Sequence, residues 1–523
     1  MKDQFILNPA VFDVKTMKKE RSKLSNILLI FFFVLTTIAS FSLVIVFWFT
    51  SVFDNAILSQ LVLKNGTQSF SWWENPPVTP LIRVMVFNYT NLEEYRLGKA
   101  SKLHVEELGP YIYKETLKRV NVEIHENGRT LSYQEYTTHE WVGGRPDSEI
   151  ICVPNLPLMT AVKKSKGINF LAHLGITVTL GFMQAEPFKV LTVEKYLWGY
   201  HDHLVDTVHD VLAVTGPITP AETFGMLMGR SGLSKDRITI QTGSDDINHL
   251  GLVEELNGVK KLDVWDDEVC DGINGTDGSM FPPNLVRDPR AKLNIYTRDT
   301  CRNFPLEFYG YGSSFGIPSL RYKPSKDIFT ATREKNSCFC QKSLDGKKIE
   351  SCPPVGVFNA SACNFGAPVL LSFPHFYGGE KSLLNHVTGL NPKKELHETW
   401  ADIHPRLGVL IGGLSRLQIN VQVNVVRTIP VLEPLKDGMI LPVLWLEIGI
   451  DTIPDQILGM LKHAYFTASA VECGLQWGSV ICTLLSMFAA AYMVRKYKRT
   501  NCVSSLKFQI QKNLIVESQQ CKR

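Results

Sequence analysis

ILLIFFFVLTTIASFSLVIVFWF, residues 27–49, and CGLQWGSVICTLLSMFAAAYMV, residues 473–494, decide the architecture of this 523-residue chain. Neither run holds a charged residue, and about 20 apolar residues are enough to cross roughly 30 Å of hydrocarbon. The first run is longer than the roughly 7–15 residues of a signal-peptide core, and no small-residue cleavage site follows it, so it reads as an anchor. The second stops against Arg495-Lys496-Tyr497-Lys498-Arg499 and reads as a span rather than a buried core helix.

The flanks orient both runs. The 19 residues before Ile27 hold five Lys/Arg and the 19 after Phe49 hold one, Lys64; the same windows around the second run hold one, Lys462, and then six. Positive charge resists translocation. The expectation is a hairpin: tails 1–26 and 495–523 in the cytoplasm, spans 27–49 and 473–494, and residues 50–472 in the exterior or an organelle lumen.

Composition narrows the classes further. With 45% hydrophobic residues, 20% charged and a net charge of +4, global disorder and collagen-like structure are excluded. No long Lys/Arg run speaks for nucleic acid. Four glycosylation sequons, at Asn65, Asn88, Asn274 and Asn359, fall in the loop. So do six clustered cysteines, Cys270, Cys301, Cys338, Cys340, Cys352 and Cys363. In an oxidising compartment they read as three disulfides, with the pairing left open among about 15 alternatives. Zinc is the rival, but Cys338-x-Cys340 is spaced too closely for the usual ligand pair.

The loop mixes two textures. Arg416 to Val425 alternates apolar and amide side chains, the pattern of a strand with one buried and one wetter face. Ile429 to Leu446, broken at Lys436-Asp437-Gly438, predicts a hairpin of two strands. Leu81 to Asn88, Lys102 to Val105 and Tyr111 to Lys114 predict strands punctuated by Gly109-Pro110. Leu156 to Lys166, Phe170 to Phe182, Val193 to Trp198 and Ala221 to Met228 predict short helices. The fold class is therefore α+β: one compact domain with an antiparallel sheet or barrel and a helical insertion.

Catalytic patterns fail on context. Gly312-Ser313-Ser314-Phe315-Gly316 has the spacing of a nucleophile elbow, but Pro318 follows where a helix is required. His397 and His404 are seven apart with Pro405 next, not four apart on one helical face. His201-Asp202-His203 alternates sides if extended. No phosphate-cradling loop appears, so neither an enzyme, a metal nor a cofactor is expected.

Two spans, cytoplasmic tails and the cysteine ladder resemble the class B scavenger receptor family, which includes fatty-acid translocase, the high-density-lipoprotein receptor, a lysosomal integral membrane protein and sensory neuron membrane proteins. Matching pieces include Gly109-Pro110-Tyr111, Leu197-Trp198-Gly199-Tyr200, Ile273-Asn-Gly-Thr-Asp277, Phe281-Pro-Pro283 and Gly316-Ile-Pro318. Pro374-His375-Phe376, Gly389-Leu-Asn-Pro392, Asp402-Ile403-His404-Pro405, Arg416-Leu417-Gln418 and Leu444-Trp445-Leu446 continue the likeness. It is carried by their order together with the cysteine spacing.

The resemblance implies a β-barrel ectodomain pierced by a lipid tunnel and capped by a membrane-distal helical bundle, here residues 154–228. It also implies a disulfide region, 270–363, with Cys270 joined to Cys338, Cys301 to Cys363 and Cys340 to Cys352. Cys152 departs from the common pattern. Ligand docking falls to basic apical residues, for which Lys163, Lys164 and Lys166 are the candidates. Cys502, eight residues past the second span, suits S-palmitoylation. The expected partners are lipids and lipoprotein particles, with homo-oligomers as a further expectation and no nucleic acid. The expected activity is lipid docking and passage to the membrane: uptake of fatty acid, sterol or carotenoid at the plasma membrane. A phagocytic pattern-recognition receptor and a lysosomal trafficking receptor in the endolysosomal membrane are the alternatives. Lys512-Asn513-Leu514-Ile515 lacks the upstream acid of the family's lysosomal delivery signal.

Overall fold

A computed structural model describes residues 9–125, 128–167, 170–202, 204, 223–342 and 349–520. Two compact units divide it. One comprises residues up to Ile57 together with those from His463, and the other is Leu58–Lys462.

In the first unit, helices Pro9–Phe49 and Ala468–Gln520 pack side by side. Lipid supplies no hydrophobic drive for such packing, so close backbone approach and polar bridges must do it. Ser40, Ser479, Thr483 and Ser486 are buried at the seam. The Thr37 hydroxyl bonds that of Ser486 at 2.9 Å, and the Trp48 indole donates to the Gln476 carbonyl at 3.1 Å. The Gln476 amide returns a bond to the Phe47 carbonyl at 3.1 Å. The second helix continues well past Val494, because residues 495–520 contain no Gly or Pro to stop it.

The second unit is built on a 15-stranded sheet. Its main path uses β1 (Leu81–Tyr89), β2 (Leu103–His125), β3 (Thr130–Gly144), β4 (Ile238–Gln241), β5 (Val253–Leu256) and β6 (Leu293–Thr297). It continues with β7 (Arg302–Ser314), β8 (Ile317–Pro324), β9 (Trp400–Ile403), β10 (Leu410–Gln422) and β11 (Ile440–Gly449). The spatial order is β5-β4-β3-β2-β1-β11-β10-β9-β8-β7-β6, antiparallel throughout. A short link nearly closes this sheet into a barrel. The Val253 amide of β5 donates to the Gly275 carbonyl at 2.8 Å, while Thr276 bridges Ile295 of β6. Gly275 sits at φ +130°, where a Cβ would lie 2.5 Å from the Asn294 carbonyl oxygen, so glycine is required there.

Several expectations are corrected. The two strands expected around Gly109-Pro110 are one, β2, because Gly109 lies so close to β1 that a Cβ would meet the Val84 carbonyl at 2.7 Å. The first half of the expected 429–446 hairpin is a single helical turn, Pro430–Leu432, where Pro430 and Pro434 remove ladder donors. The expected strand to Val425 ends at Gln422, and its amide face is sealed at Gln418 and Asn420, both 0% exposed, while Gln422 keeps accessible surface. Of the expected helix Ala221–Met228, Ala221 and Glu222 lie outside the described residues. Thr223–Phe224 instead forms a strand against Tyr200–His201. His203 also lies outside the described residues.

Candidate functional site

The remaining helices expected in the insertion form. Leu156–Lys164 starts at Asn155, whose side chain accepts the Leu158 amide at 3.2 Å, and buries Leu156, Leu158, Met159 and Val162 in the main core. The three candidate lysines follow different paths. The Lys163 ammonium donates to the Ser361 hydroxyl at 2.7 Å; burial, reinforced by Lys166, pulls its pKa down to about 8. Lys164 is half-buried and reaches toward Gly366. Lys166 is exposed, 3.8 Å from Asp437.

Beside them lies the helix Phe170–Phe182, FLAHLGITVTLGF, which is apolar nearly all round. Such a helix belongs in a core, yet among the described side chains only Ile176 and Leu180 are inserted there. Phe170, Leu171 and Phe182 are 77%, 77% and 86% exposed, with Leu174 and Val178 exposed on the same side. His173 ties the helix to the neighbouring loop through a 2.7 Å contact with Thr428. A contiguous exposed apolar surface of this kind marks an interaction site.

A second constellation, in which the exposed Glu107 meets the buried His375, His397 and Trp445, was missed in the sequence. Glu107 of β2 bonds both the His375 imidazole and, at 3.2 Å, the Trp445 indole of β11. His375 stacks on His397 with ring centroids 4.5 Å apart. Burial is the largest influence and raises the Glu107 pKa, but the bond and charge of His375 together with the Trp445 bond and the His397 charge outweigh it and hold the carboxyl below its usual range. Burial, then the neighbouring His375, pushes His397 down to about 4. Gln418 accepts the His375 amide at 2.6 Å and donates to Asn420 at 2.7 Å, and Asn420 reaches Ser372 at 3.0 Å. Pro374-His375-Phe376, Arg416-Leu417-Gln418 and Leu444-Trp445-Leu446 carried a signal as pieces of family likeness without a role, and His397 was weighed only as a partner of His404. His397 and His404 are not brought together: His404 is buried elsewhere, on the Leu461 carbonyl at 3.2 Å.

The other sequence candidates fall as follows. Disulfides join Cys270 to Cys338, Cys301 to Cys363 and Cys340 to Cys352, around a core of Trp265, Phe339 and Phe358. Cys152, Cys473, Cys482 and Cys502 are free thiols; burial raises the Cys152 pKa to about 11. Asn65 and Asn274 are exposed, whereas Asn88 and Asn359 are half-buried, accepting the Cys152 and Ser361 amides at 2.8 and 3.0 Å. Gly312–Ser314 ends β7 and turns back into β8, with Ser314 bonded to Asp402 at 2.8 Å, so there is no strand-to-helix elbow.

Residues 30–494 match the family model described as the CD36 family. The chain belongs to that family. It is 33% identical to Lysosome membrane protein 2 of Mus musculus over 84% of this chain and 88% of the relative. It is 32% identical to Lysosome membrane protein 2 of Homo sapiens over 75% and 79%. With Scavenger receptor class B member 1 of Cricetulus griseus it shares 31% over 75% of each chain. These relatives are class B scavenger receptors, so the family likeness read from the sequence holds, and with it the α+β barrel-like class. Members of this lipid-binding family are receptors rather than enzymes, and the chain is a membrane protein of the plasma or lysosomal membrane.

Proposed function

We propose that this chain docks lipid or lipoprotein particles on the Leu156–Phe182 surface and passes lipid through the interior of the barrel to the bilayer. In this reading the tails 1–26 and 495–523 are cytoplasmic, and residues 50–472, with glycans on Asn65, Asn88, Asn274 and Asn359, face the exterior or lumen. The observation that carries it is the apolar helix. Each fully buried large apolar side chain is worth roughly 1.5–3 kcal/mol, and Phe170, Leu171 and Phe182 leave most of that unused in water. A lipid particle would recover it, and Lys164 and Lys166 would meet anionic headgroups, with Lys163 already engaged by Ser361.

The conduit reading draws on β10. This strand has neighbours on both sides, and Gln418 and Asn420 on one face are sealed; Leu417 and Ile419 on the other keep accessible surface. Both contact the core cluster beneath the disulfides, and Ile419 also contacts the main core. An apolar path there spares a fatty acid roughly 0.8 kcal/mol per CH₂ on leaving its donor, so flow down a gradient needs no energy input.

Two variants of the full-length receptor in cells test the proposal. Phe170→Ser/Phe182→Ser with Lys164→Glu/Lys166→Glu should abolish lipoprotein binding, and Ile419→Trp should leave binding intact while reducing lipid uptake. Unchanged binding in the first refutes the docking surface. Unchanged uptake in the second refutes the conduit and leaves a receptor that works by docking alone. The similarity to Lysosome membrane protein 2 supports a second reading, residence in the lysosomal membrane as a trafficking receptor. Imaging of the tagged chain against a lysosomal marker separates it from the first.

A further inference from the structure

Beyond the apolar run, the helix Ala468–Gln520 carries a cleft of ≈ 620 Å³ lined by Tyr492, Arg495, Lys496, Arg499, Thr500, Val503 and Lys507. The spacing of three, four, seven, eight, eleven and fifteen residues from Tyr492 keeps these side chains on one helical face. Lys498 is not among them. Four cations therefore converge on one concave site. Nothing on this helix neutralises them, since residues 473–516 contain no Asp or Glu.

Position along the helix identifies the ligand. At 1.5 Å per residue, Arg495, Lys496 and Arg499 lie about 5–10 Å beyond Tyr492. The headgroup layer on one side of a bilayer is of that thickness, and an interfacial tyrosine sits at its inner edge. Tyr492 and Val503 supply apolar wall, while two guanidiniums offer paired donors suited to phosphate oxygens. Lys507, about 22 Å along, meets only a headgroup that projects beyond its own phosphodiester.

We infer that this cleft is a binding site for an anionic phospholipid whose headgroup bears phosphomonoesters, drawn from the leaflet facing residues 495–523. The inference rests on the proposed reading that this helix spans the bilayer with its C-terminal end in the cytoplasm. Basic clusters placed immediately inside a span recruit such lipids, each cation adding to the attraction. The site is separate from lipid docking in the second unit and ties the receptor to the composition of its own membrane.

The test uses full-length protein in detergent micelles, titrated with phosphatidylinositol bisphosphate, phosphatidylserine or soluble inositol trisphosphate, with bound lipid counted by native mass spectrometry. One bisphosphate lipid should bind per chain in preference to phosphatidylserine. Arg495→Gln/Lys496→Gln/Arg499→Gln should weaken it at least tenfold, while Lys498→Gln/Lys512→Gln changes it less than twofold. Equal losses in the two variants, or no preference over phosphatidylserine, overturns the site. Inositol trisphosphate binding as tightly as the lipid overturns the lipid source in favour of a free phosphate ligand. Micelles have no sidedness, so failure of the topology is seen separately: a C-terminal epitope reached by antibody on intact cells overturns the leaflet assignment alone.

Discussion

Lowering the pH from 7 to 5 should destabilise the second unit by about 4 kcal/mol through two buried histidines. His404 is 0% exposed, with Nε2 on the Leu461 carbonyl and Nδ1 accepting the Arg406 and Leu407 amides. His397 is 3% exposed and accepts the Lys393 amide. Burial lowers both to about 4 from the ordinary 6.5; for His397 the His375 ring adds to this and Glu107 opposes it. Because the folded pKa is the lower one, the unfolded chain binds more protons between the two values, and stability falls as pH falls. Each histidine then costs about 2 kcal/mol at pH 5 relative to pH 7. An unfolding entropy of about 2.1 cal/mol/K per residue over Leu58–Lys462 converts ~4 kcal/mol into a drop of roughly 5 °C in Tm. Differential scanning fluorimetry of the full-length protein in detergent at pH 7 and 5 reads this directly. His404→Gln keeps an N–H for the Leu461 carbonyl without the titration and should remove about half of the drop. A Tm independent of pH over this range, or an unaltered drop in His404→Gln, refutes the reasoning.

Three further outcomes are expected. Asp402 is fully buried and accepts both Arg321 bonds, at 2.8 and 2.7 Å, as well as the Ser314 hydroxyl; Asp402→Ala should cost roughly 3–5 kcal/mol, seen as a lowered Tm, whereas Ser314→Ala should cost about 1 kcal/mol. Gly275→Ala preserves the Asn274 sequon but pushes a methyl into the Asn294 carbonyl, so it should lower stability by about 1–3 kcal/mol and reduce surface expression while glycan mobility shifts stay unchanged. Cys502 is an exposed thiol on the second span helix; Cys502→Ser should abolish palmitate labelling of the full-length chain, and persistent labelling would point to Cys521, the other cysteine of residues 495–523.

How far the fold could be read depended on the range of the information needed. The spans were legible because a run such as Ile27–Phe49 carries its own solvent preference. Helix Phe170–Phe182 was legible as a local apolar period, but its exposure was not, since that depends on what the rest of the unit leaves uncovered. β2 was split at Gly109-Pro110 because local turn chemistry argues for a break, and only the nearness of β1 explains why the strand continues. The cluster of Glu107, His375, His397 and Trp445 lay beyond sequence reasoning for a similar reason. Its members are separated by up to 338 positions and meet only through strand register. The pairing of the six cysteines was likewise open to spacing alone and came from family likeness.

β10 makes the proposed conduit testable by face rather than by strand. Alternation places Gln418 and Asn420 opposite Leu417 and Ile419. These two amides end in hydrogen bonds to His375, Ser372 and the Leu370 carbonyl and keep no accessible surface. A buried amide is costly only when its partners are missing, so this sealed face fixes register and leaves no room for lipid. Gln418→Leu should therefore lower Tm by an amount set by the orphaned His375 amide, about 1–3 kcal/mol, while the surviving folded receptor takes up lipid at the normal rate per molecule. Ile419→Trp should do the reverse, filling accessible space at little cost in Tm while blocking uptake. If Gln418→Leu blocks uptake per folded molecule and Ile419→Trp does not, the lipid path runs along the polar face and the assignment of faces is wrong.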